Sequence, residues 1–194
     1  MKKSLYSVGE YRNANQSYSI VLNNIGLYED LFKKLCNGIK TITPCPELFF
    51  GHYKVDGINL SRKDFQKYRS EIQTFFEING DYKRILLPHE QWKRNRLRNE
   101  LTVCRTKKVD AVYQFLDKLL HYYQHTIFFC PKVDWRTFVQ SFESYMEISV
   151  LNYVMNGFTD FLFSYSDSSD FSITFNPAIY NIDEVREQVL SMVL

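Results

Sequence analysis

Two histidines four residues apart are the first residues whose types and spacing could do chemistry. His121 and His125 lie in the stretch LLHYYQHT, and on a helix this spacing would place both imidazoles on one face, where they could share a metal ion. Tyr122 stands where the helical zinc-protease motif has its glutamate. Cys104 or Cys130 could add a thiolate, but no ligand spacing requires it. We therefore interpret these histidines as structural and predict neither a metal nor a cofactor.

Motifs of the common catalytic and phosphate-binding sites are absent from the sequence. There is no G-x-S-x-G, P-loop, G-x-G-x-x-G or kinase motif, and the seven glycines are not clustered. The stretch DSSD at 167–170 offers oxygen ligands, but it is too short for a calcium loop and is predicted to be a turn. The sequence therefore favours a protein that is not an enzyme. An enzyme whose site combines scattered residues, such as His121, His125 and Cys130, is the third alternative.

Helices are indicated by apolar periodicity that ends at Asn-Gly pairs. Asparagine and glycine tolerate the left-handed conformation that closes many helices. A capping-box pattern, Asn181 with Glu184, begins a helix near the end of the sequence. If 89–103 is helical, Leu97, Leu101 and Cys104 face the core. The remaining helices are predicted near 27–37, 62–79, 108–123 and 134–156, and the last over 181–194.

The strands predict a sheet that includes a β-hairpin. Phe161, Phe163 and Tyr165 alternate along one segment, and Phe171, Ile173 and Phe175 alternate along the next, with Ser172 and Thr174 facing outward. The 167–170 turn joins the two segments. Further strands are predicted at 4–8, 17–22, 48–55 and 126–130, with a turn at Asp56-Gly57. The prediction is a single α+β domain over 1–194, with several helices packed on an antiparallel sheet.

Composition places the chain among globular proteins. Of its 194 residues, 45% are hydrophobic and 24% are charged, which is close to the globular average. The four cysteines form no CxxC pair or disulfide framework, and the N-terminal lysines precede no apolar signal segment. No stretch approaches the ~20 apolar residues that cross a bilayer. We therefore predict a cytoplasmic protein without a membrane partner. The many Phe, Tyr, Asn, Ile and Lys residues and the few alanines are typical of an AT-rich bacterial or phage genome.

Charge is distributed unevenly along the chain. Residues 61–108 carry thirteen basic and six acidic side chains, a net +7, whereas 109–194 carry four basic and eleven acidic ones, a net −7. Acidic surfaces attract basic partners and speed their association. The sequence thus predicts a binding protein of the bacterial immunity-protein or antitoxin type, whose acidic C-terminal face occludes a basic toxin or nuclease. The predicted acidic face comprises Asp160, Asp167, Asp170, Asp183, Glu184 and Glu187, with Tyr165 and Tyr180 as apolar anchors.

The basic segment supports a second hypothesis, a nucleic-acid-binding protein. Lys83 to Lys108 hold nine basic residues within 26 positions, with Tyr82 and Trp92 among them. Arginines contact phosphates and aromatic rings stack on bases. A third interpretation is that the +7 and −7 segments neutralise each other, within one chain or across a homodimer. The residues that would contact nucleic acid are Arg94, Arg96, Arg98, Arg105 and Lys107.

Overall fold

The protein has an α+β fold, as predicted, with its described strands joined in one antiparallel sheet. The structure, a computed structural model, describes residues 7–14, 16–23, 34, 48–54, 62–86, 100–108, 125–142, 150–166 and 170–193. Within these ranges there are eight strands and four helices.

The sheet places strands from distant parts of the sequence side by side. Its order is β1-β2-β8-β7-β6-β3-β5-β4, and every neighbouring pair is antiparallel. With about 4.8 Å between neighbours, the seven steps from β1 to β4 span roughly 34 Å. The strands are β1 (Ser7–Arg12), β2 (Tyr18–Asn23), β3 (Leu48–Lys54), β4 (Asp81–Leu86), β5 (Glu100–Thr106), β6 (His125–Phe129), β7 (Phe161–Ser166) and β8 (Phe171–Phe175).

The helices are α1 (Arg62–Asn79), α2 (Trp135–Ser141), α3 (Val150–Gly157) and α4 (Ile182–Val193). Helix α1 has the predicted bounds and lies against β4 and β5. Gly80 ends it, donating its N–H to the Phe76 carbonyl at 2.8 Å. A Cβ on Gly80 would lie 1.9 Å from the carbonyl oxygen of Arg105, so only glycine allows β5 this close to the helix end.

The predicted continuous helix over 134–156 is wrong. Helix α2 begins at the N-cap Asp134 and ends at the C-cap Phe142, and α3 begins at Val150. The Tyr153 hydroxyl donates to the Ser141 carbonyl at 2.9 Å, although twelve residues of straight helix would separate these positions by about 18 Å. The two helices therefore fold back on each other.

The helix considered over 89–103 does not form where the structure describes these residues. Residues Glu100–Thr106 form β5, which pairs with β3 on one side and with β4 on the other. Val103 and Cys104 are neighbours in sequence and are both fully buried. Successive strand residues point to opposite faces, so both faces of the sheet are covered here. The sequence therefore lacks the alternation of a half-exposed strand and resembles the apolar stripe of a helix. Cys104 does face the core, but from a strand.

The predicted hairpin is confirmed. Strands β7 and β8 pair antiparallel, and Phe171, Ile173 and Phe175 are buried. Thr174, predicted to face outward, is only 1% exposed. Its hydroxyl lies 2.8 Å from the Ser19 hydroxyl on β2. The outward prediction fails because this face of the sheet is covered as well.

Two hydrophobic layers cover opposite faces of the sheet. The cluster face carries the side chains that pack with α2 and α3. The α4 face, on the opposite side, carries Phe161, Phe171, Ile173 and Phe175, and Tyr180 packs its ring against Phe161 and Phe175. The buried core on the cluster face consists of Val103, Ile127, Phe129, Phe138, Phe142, Val154, Met155, Phe158 and Leu162.

Several predicted elements lie outside the described residues. These are the helix near 27–37 apart from Lys34, the helix near 108–123, the first part of the 4–8 strand, the Asp56-Gly57 turn and residues 167–169 of the hairpin turn. Across the described ranges, no helix has the length and apolar character needed to span a membrane.

Candidate partner-binding surface

Helix α4 is held by an N-cap at its start and by three buried valines along its length. The side-chain oxygen of Asn181 accepts from the backbone N–H groups of Asp183 and Glu184, at 2.9 and 3.2 Å. This confirms Asn181 as the predicted cap. The buried valines are Val185, Val189 and Val193. Because their four-residue spacing turns one helix face inward, the remaining faces of α4 project away from the sheet.

Three carboxylates occupy the first turns of α4 and are exposed. Asp183 is 80% exposed, and Glu184 and Glu187 are exposed as well. Asp183 pairs with Arg186 of the same helix. Among the described residues, no ion pair involves Glu184 or Glu187. On this anchored helix, the two glutamates thus present negative charge that no described residue pairs with.

An ion pair joins α4 to the edge strand β1. The Arg186 guanidinium donates to both carboxylate oxygens of Glu10, from Nε at 2.7 Å and from Nη2 at 2.6 Å. The Tyr18 hydroxyl on β2 donates to the same carboxylate. The hydrogen bond from Arg186, followed by that from Tyr18, lowers the pKa of Glu10 to about 2. The hydrogen bond to Glu10, followed by burial, in turn raises the pKa of Tyr18.

These contacts were not foreseen from the sequence. Glu10 and Arg186 are 176 positions apart, and no local pattern connects them. The nearest signal is Asp183 three residues before Arg186, a spacing at which side chains meet on a helix. The single positive charge of Arg186 is shared between Asp183 and Glu10, so this group of three keeps one net negative charge, to which Glu184 and Glu187 add.

The other predicted acidic residues have different surroundings. Asp160 is mostly covered, forms an ion pair with Lys132, and accepts at 3.3 Å from the Asn176 side chain. Its carbonyl also accepts from the Asn176 N–H at 2.9 Å. Asp170 is half-buried and has an interaction partner. Asp167 lies outside the described residues. The structure thus uses Asp160 to support the turns around β7 and β8.

The two predicted tyrosine anchors also differ. Tyr180 is half-buried, with its ring centroid 5.2 Å from that of Phe161, so it supports the start of α4 from within. Tyr165 lies on β7 opposite Phe171 and Thr126. Beside Tyr180, Ile179 is 59% exposed. An exposed apolar side chain next to an acidic helix start offers a partner an anchor that the sequence alone did not indicate.

The described part of the basic segment lies at the opposite end of the sheet. Arg105 is folded onto its own molecule: its Nε donates to the Asp81 carboxylate at 2.7 Å, and its guanidinium lies 5.6 Å from the centre of the Trp135 ring. Lys107 is exposed, and the Lys108 ammonium lies 3.3 Å from the Asn79 side-chain oxygen. Arg94, Arg96 and Arg98 lie outside the described residues.

Four ion pairs of the described residues bear on whether the oppositely charged segments neutralise each other. The ion pairs found there are Arg105 with Asp81, Lys132 with Asp160, and Arg186 with Glu10 and with Asp183. None of these four joins residues 61–108 to residues 109–194. These four pairs therefore give no support to neutralisation between the two segments.

A metal centre finds no support among the described residues. No group of three or more His, Cys, Asp or Glu side chains there is arranged to hold a metal ion. His125 is the first residue of strand β6, so the helical spacing proposed for His121 and His125 is wrong. Cys104 is fully buried, and burial raises the pKa of its thiol well above the usual value. A buried neutral thiol is a poor nucleophile.

The fold and surface define an α+β protein with one antiparallel sheet, in which several neighbouring strands are distant in sequence, and with the acidic helix α4 at one end. Comparisons with protein-family models, with curated proteins and with solved structures found no match to this chain.

Proposed function

We propose that the protein binds another macromolecule, a protein with a basic surface, and inhibits it by occlusion, as bacterial immunity proteins and antitoxins do. The observation that supports this most is the pair Glu184 and Glu187, exposed and without an ion pair among the described residues. They stand on a helix fixed by Val185, Val189 and Val193. A rigid surface binds with less entropy loss than a mobile one.

The proposed interface combines charge with an apolar anchor. Glu184 and Glu187 would steer a cationic partner toward α4, which raises the association rate. Ile179, exposed at the start of the helix, would then be buried against the partner. In the complex, the residues that surround such an apolar contact exclude water from it. A few contacts of this kind supply most of the binding free energy. A nuclease or toxin whose active site is basic would be blocked by this arrangement.

The first experiment identifies the partner. The tagged protein is used to capture proteins from a lysate of its native host, with and without nuclease treatment, and the captured proteins are identified by mass spectrometry. We expect a stoichiometric basic protein that stays bound after nuclease treatment. Loss of every partner on nuclease treatment would contradict the proposal.

Charge reversal then tests the surface. We expect Glu187→Lys to slow association with that partner at least tenfold at low salt, with a smaller effect at high salt because ions screen the charges. Glu77→Lys is the matched control, since Glu77 is an exposed glutamate on α1. Equal effects of both variants on the association rate would exclude α4 as the interface.

A second candidate function, nucleic-acid binding, is favoured by the exposed lysines at the other end of the sheet. Lys83 on the edge strand β4 and Lys107 after the adjacent β5 are both exposed. Phosphate contacts make affinity fall with salt by roughly 0.7 to 0.9 log units per contact per log unit of salt. A nucleic-acid affinity with this salt dependence, lowered by Lys83→Glu and Lys107→Glu, would support the second function. A salt-independent affinity would exclude it.

A further inference from the structure

Strand β1 is an open edge of the sheet. Among the described strands, it is the first in the order and pairs with β2 alone. Five of its six residues are exposed and the sixth, Gly9, is half-buried. An exposed edge presents a row of unpaired backbone N–H and C=O groups, which another strand can pair with.

The hydrogen bonds of the β1–β2 hairpin show which backbone groups of β1 are free. The Asn13 N–H donates to the Ser17 carbonyl on the β2 side at 2.8 Å. In an antiparallel pair, successive residues point their backbone groups alternately toward and away from the partner strand. Counting back from Asn13, the N–H and C=O groups of Val8, Glu10 and Arg12 therefore point away from β2.

The opposite edge of the sheet is different. Strand β4 carries Lys83 and Arg84 at its centre, and both are exposed. Positive charge on an edge strand is a common protection against pairing, because a second copy would bring like charges together. Strand β1 instead carries one acid and one base two residues apart, Glu10 and Arg12.

We propose that β1 pairs antiparallel with β1 of a second copy of this chain, with Glu10 opposite the partner's Arg12. Several registers let the free backbone groups of Val8, Glu10 and Arg12 hydrogen-bond to those of the partner strand. Among these registers, this one forms two pairs of opposite charge. Moving it by two residues places Glu10 opposite the partner's Glu10, and like charges directly opposite are unfavourable. Glu10, Asp183 and Arg186 together keep one net negative charge, and no ion pair of Arg12 occurs among the described residues, so the partner's Arg12 would meet a net negative group.

The same register brings two tyrosines together on the opposite face. Tyr11, which is 56% exposed, would lie opposite the partner's Tyr11 at the two-fold axis. Because the backbone groups of Tyr11 point toward β2, this is a non-hydrogen-bonded pair, in which Cα atoms approach to about 4.5 Å. Two eight-stranded sheets would join into one of sixteen strands. This dimer does not depend on the proposed inhibitor function, which involves α4.

Sedimentation of the full-length protein tests the dimer. We expect a reversible monomer–dimer equilibrium between low and high micromolar concentrations. Arg12→Glu should raise the dimer Kd at least tenfold, because it places acids opposite acids, and Arg12→Gln should raise it less. Lys83→Glu on the other edge is the control and should leave the Kd unchanged. A wild-type protein that stays monomeric throughout, or a dimer indifferent to Arg12→Glu, would overturn the proposal.

A disulfide trap tests the register. Tyr11→Cys should form a disulfide with the partner's position 11 under mild oxidation, because 4.5 Å between Cα atoms is within the bonding range. Arg12→Cys should not link to the partner's position 12, which would be about 7–8 Å away across the diagonal. Mass spectrometry of the linked peptide separates this bond from any that involves the native cysteines. A dimer in which position 11 does not link would overturn the register.

Discussion

The two ends of the sheet use their charged residues in opposite ways. At the β4 end, the basic segment turns Arg105 inward, onto Asp81 and against Trp135. At the β1 end, Arg186 pairs with both Glu10 and Asp183, and neither Glu184 nor Glu187 has an ion pair among the described residues. The difference shows that the net charge of a segment does not indicate which of its charges a partner can reach. The internal pairs have to be known first.

The hydrophobic support of the two faces of the sheet differs as well. Rings dominate the cluster face beneath α2 and α3, where Phe138 contacts Phe129, Phe142 and Phe158 with centroids 5.2 to 5.4 Å apart. Smaller side chains anchor α4, through Val185, Val189 and Val193. We therefore expect mutations to cost more stability beneath α2 and α3 than beneath α4.

The largest expected effect is at Phe138. Replacing this ring by alanine leaves a cavity among three neighbouring rings and should lower the free energy of unfolding by about 3–5 kcal/mol. Denaturation in urea measures the change. Gln140→Ala, at an exposed position of the same helix, should change it by less than about 0.5 kcal/mol. A loss at Phe138 no larger than at Gln140 would contradict the packing of α2.

A smaller effect is expected at Val189. The side chain is fully buried, and Val189→Ala removes two methyl groups, which should cost about 2 kcal/mol. Gln188→Ala is the control, because Gln188 is exposed on the same helix. If Val189→Ala costs as much as Phe138→Ala, the proposed difference between the two faces is wrong.

A pH-dependent effect of intermediate size is expected at Glu10. Its pKa is lowered from 4.5 to about 2, so the native state favours the ionised form. The stabilisation is fully present above pH 4.5 and disappears as the pH falls through about 2. Since Glu10 is partly exposed, we expect only about 1 kcal/mol. The stability difference between wild type and Glu10→Gln should shrink over this pH range, and a constant difference would contradict the ion pair with Arg186.

The smallest expected effect is at Arg105. Its ion pair with Asp81 and its contact with Trp135 are both partly exposed, so Arg105→Gln should cost about 0.5–1 kcal/mol. Thermal unfolding measures this. Because the side chain is engaged within the molecule, the variant should also leave any nucleic-acid affinity nearly unchanged. A large loss of nucleic-acid affinity would instead show that Arg105 contacts the nucleic acid.

Local sequence patterns predicted the elements whose signals are complete within one segment. Helix α1, the β7–β8 hairpin and the Asn181 cap all have this property, since periodicity, alternation and a capping residue are short-range signals. Strand β5 was mistaken for part of a helix because Val103 and Cys104 are both buried, so no alternation is visible. Thr174 was misplaced for a related reason: a polar side chain is buried there against Ser19.

The candidate surface was predictable only in part. Glu184 and Glu187 were identified because they are acidic residues on a recognisable helix. Nothing in the sequence distinguishes them from Asp160, which pairs with Lys132, because that distinction depends on which residues meet after folding. The contact between Glu10 and Arg186 depends on the strand order, which no local pattern determines.

The strand order also has a consequence for synthesis on the ribosome. Strand β2 takes β8 as its neighbour, and Ser19 meets Thr174 across 155 positions. At roughly 5–20 residues per second, about 8–30 seconds of synthesis separate the completion of β2 from the completion of β8. During that time Ile20 and Leu22, which are fully buried in the finished protein, have no sheet to join. The apolar side chains of β2 therefore cannot be covered by β8 until most of the chain has been translated. During that interval they are accessible to chaperones that bind emerging polypeptides.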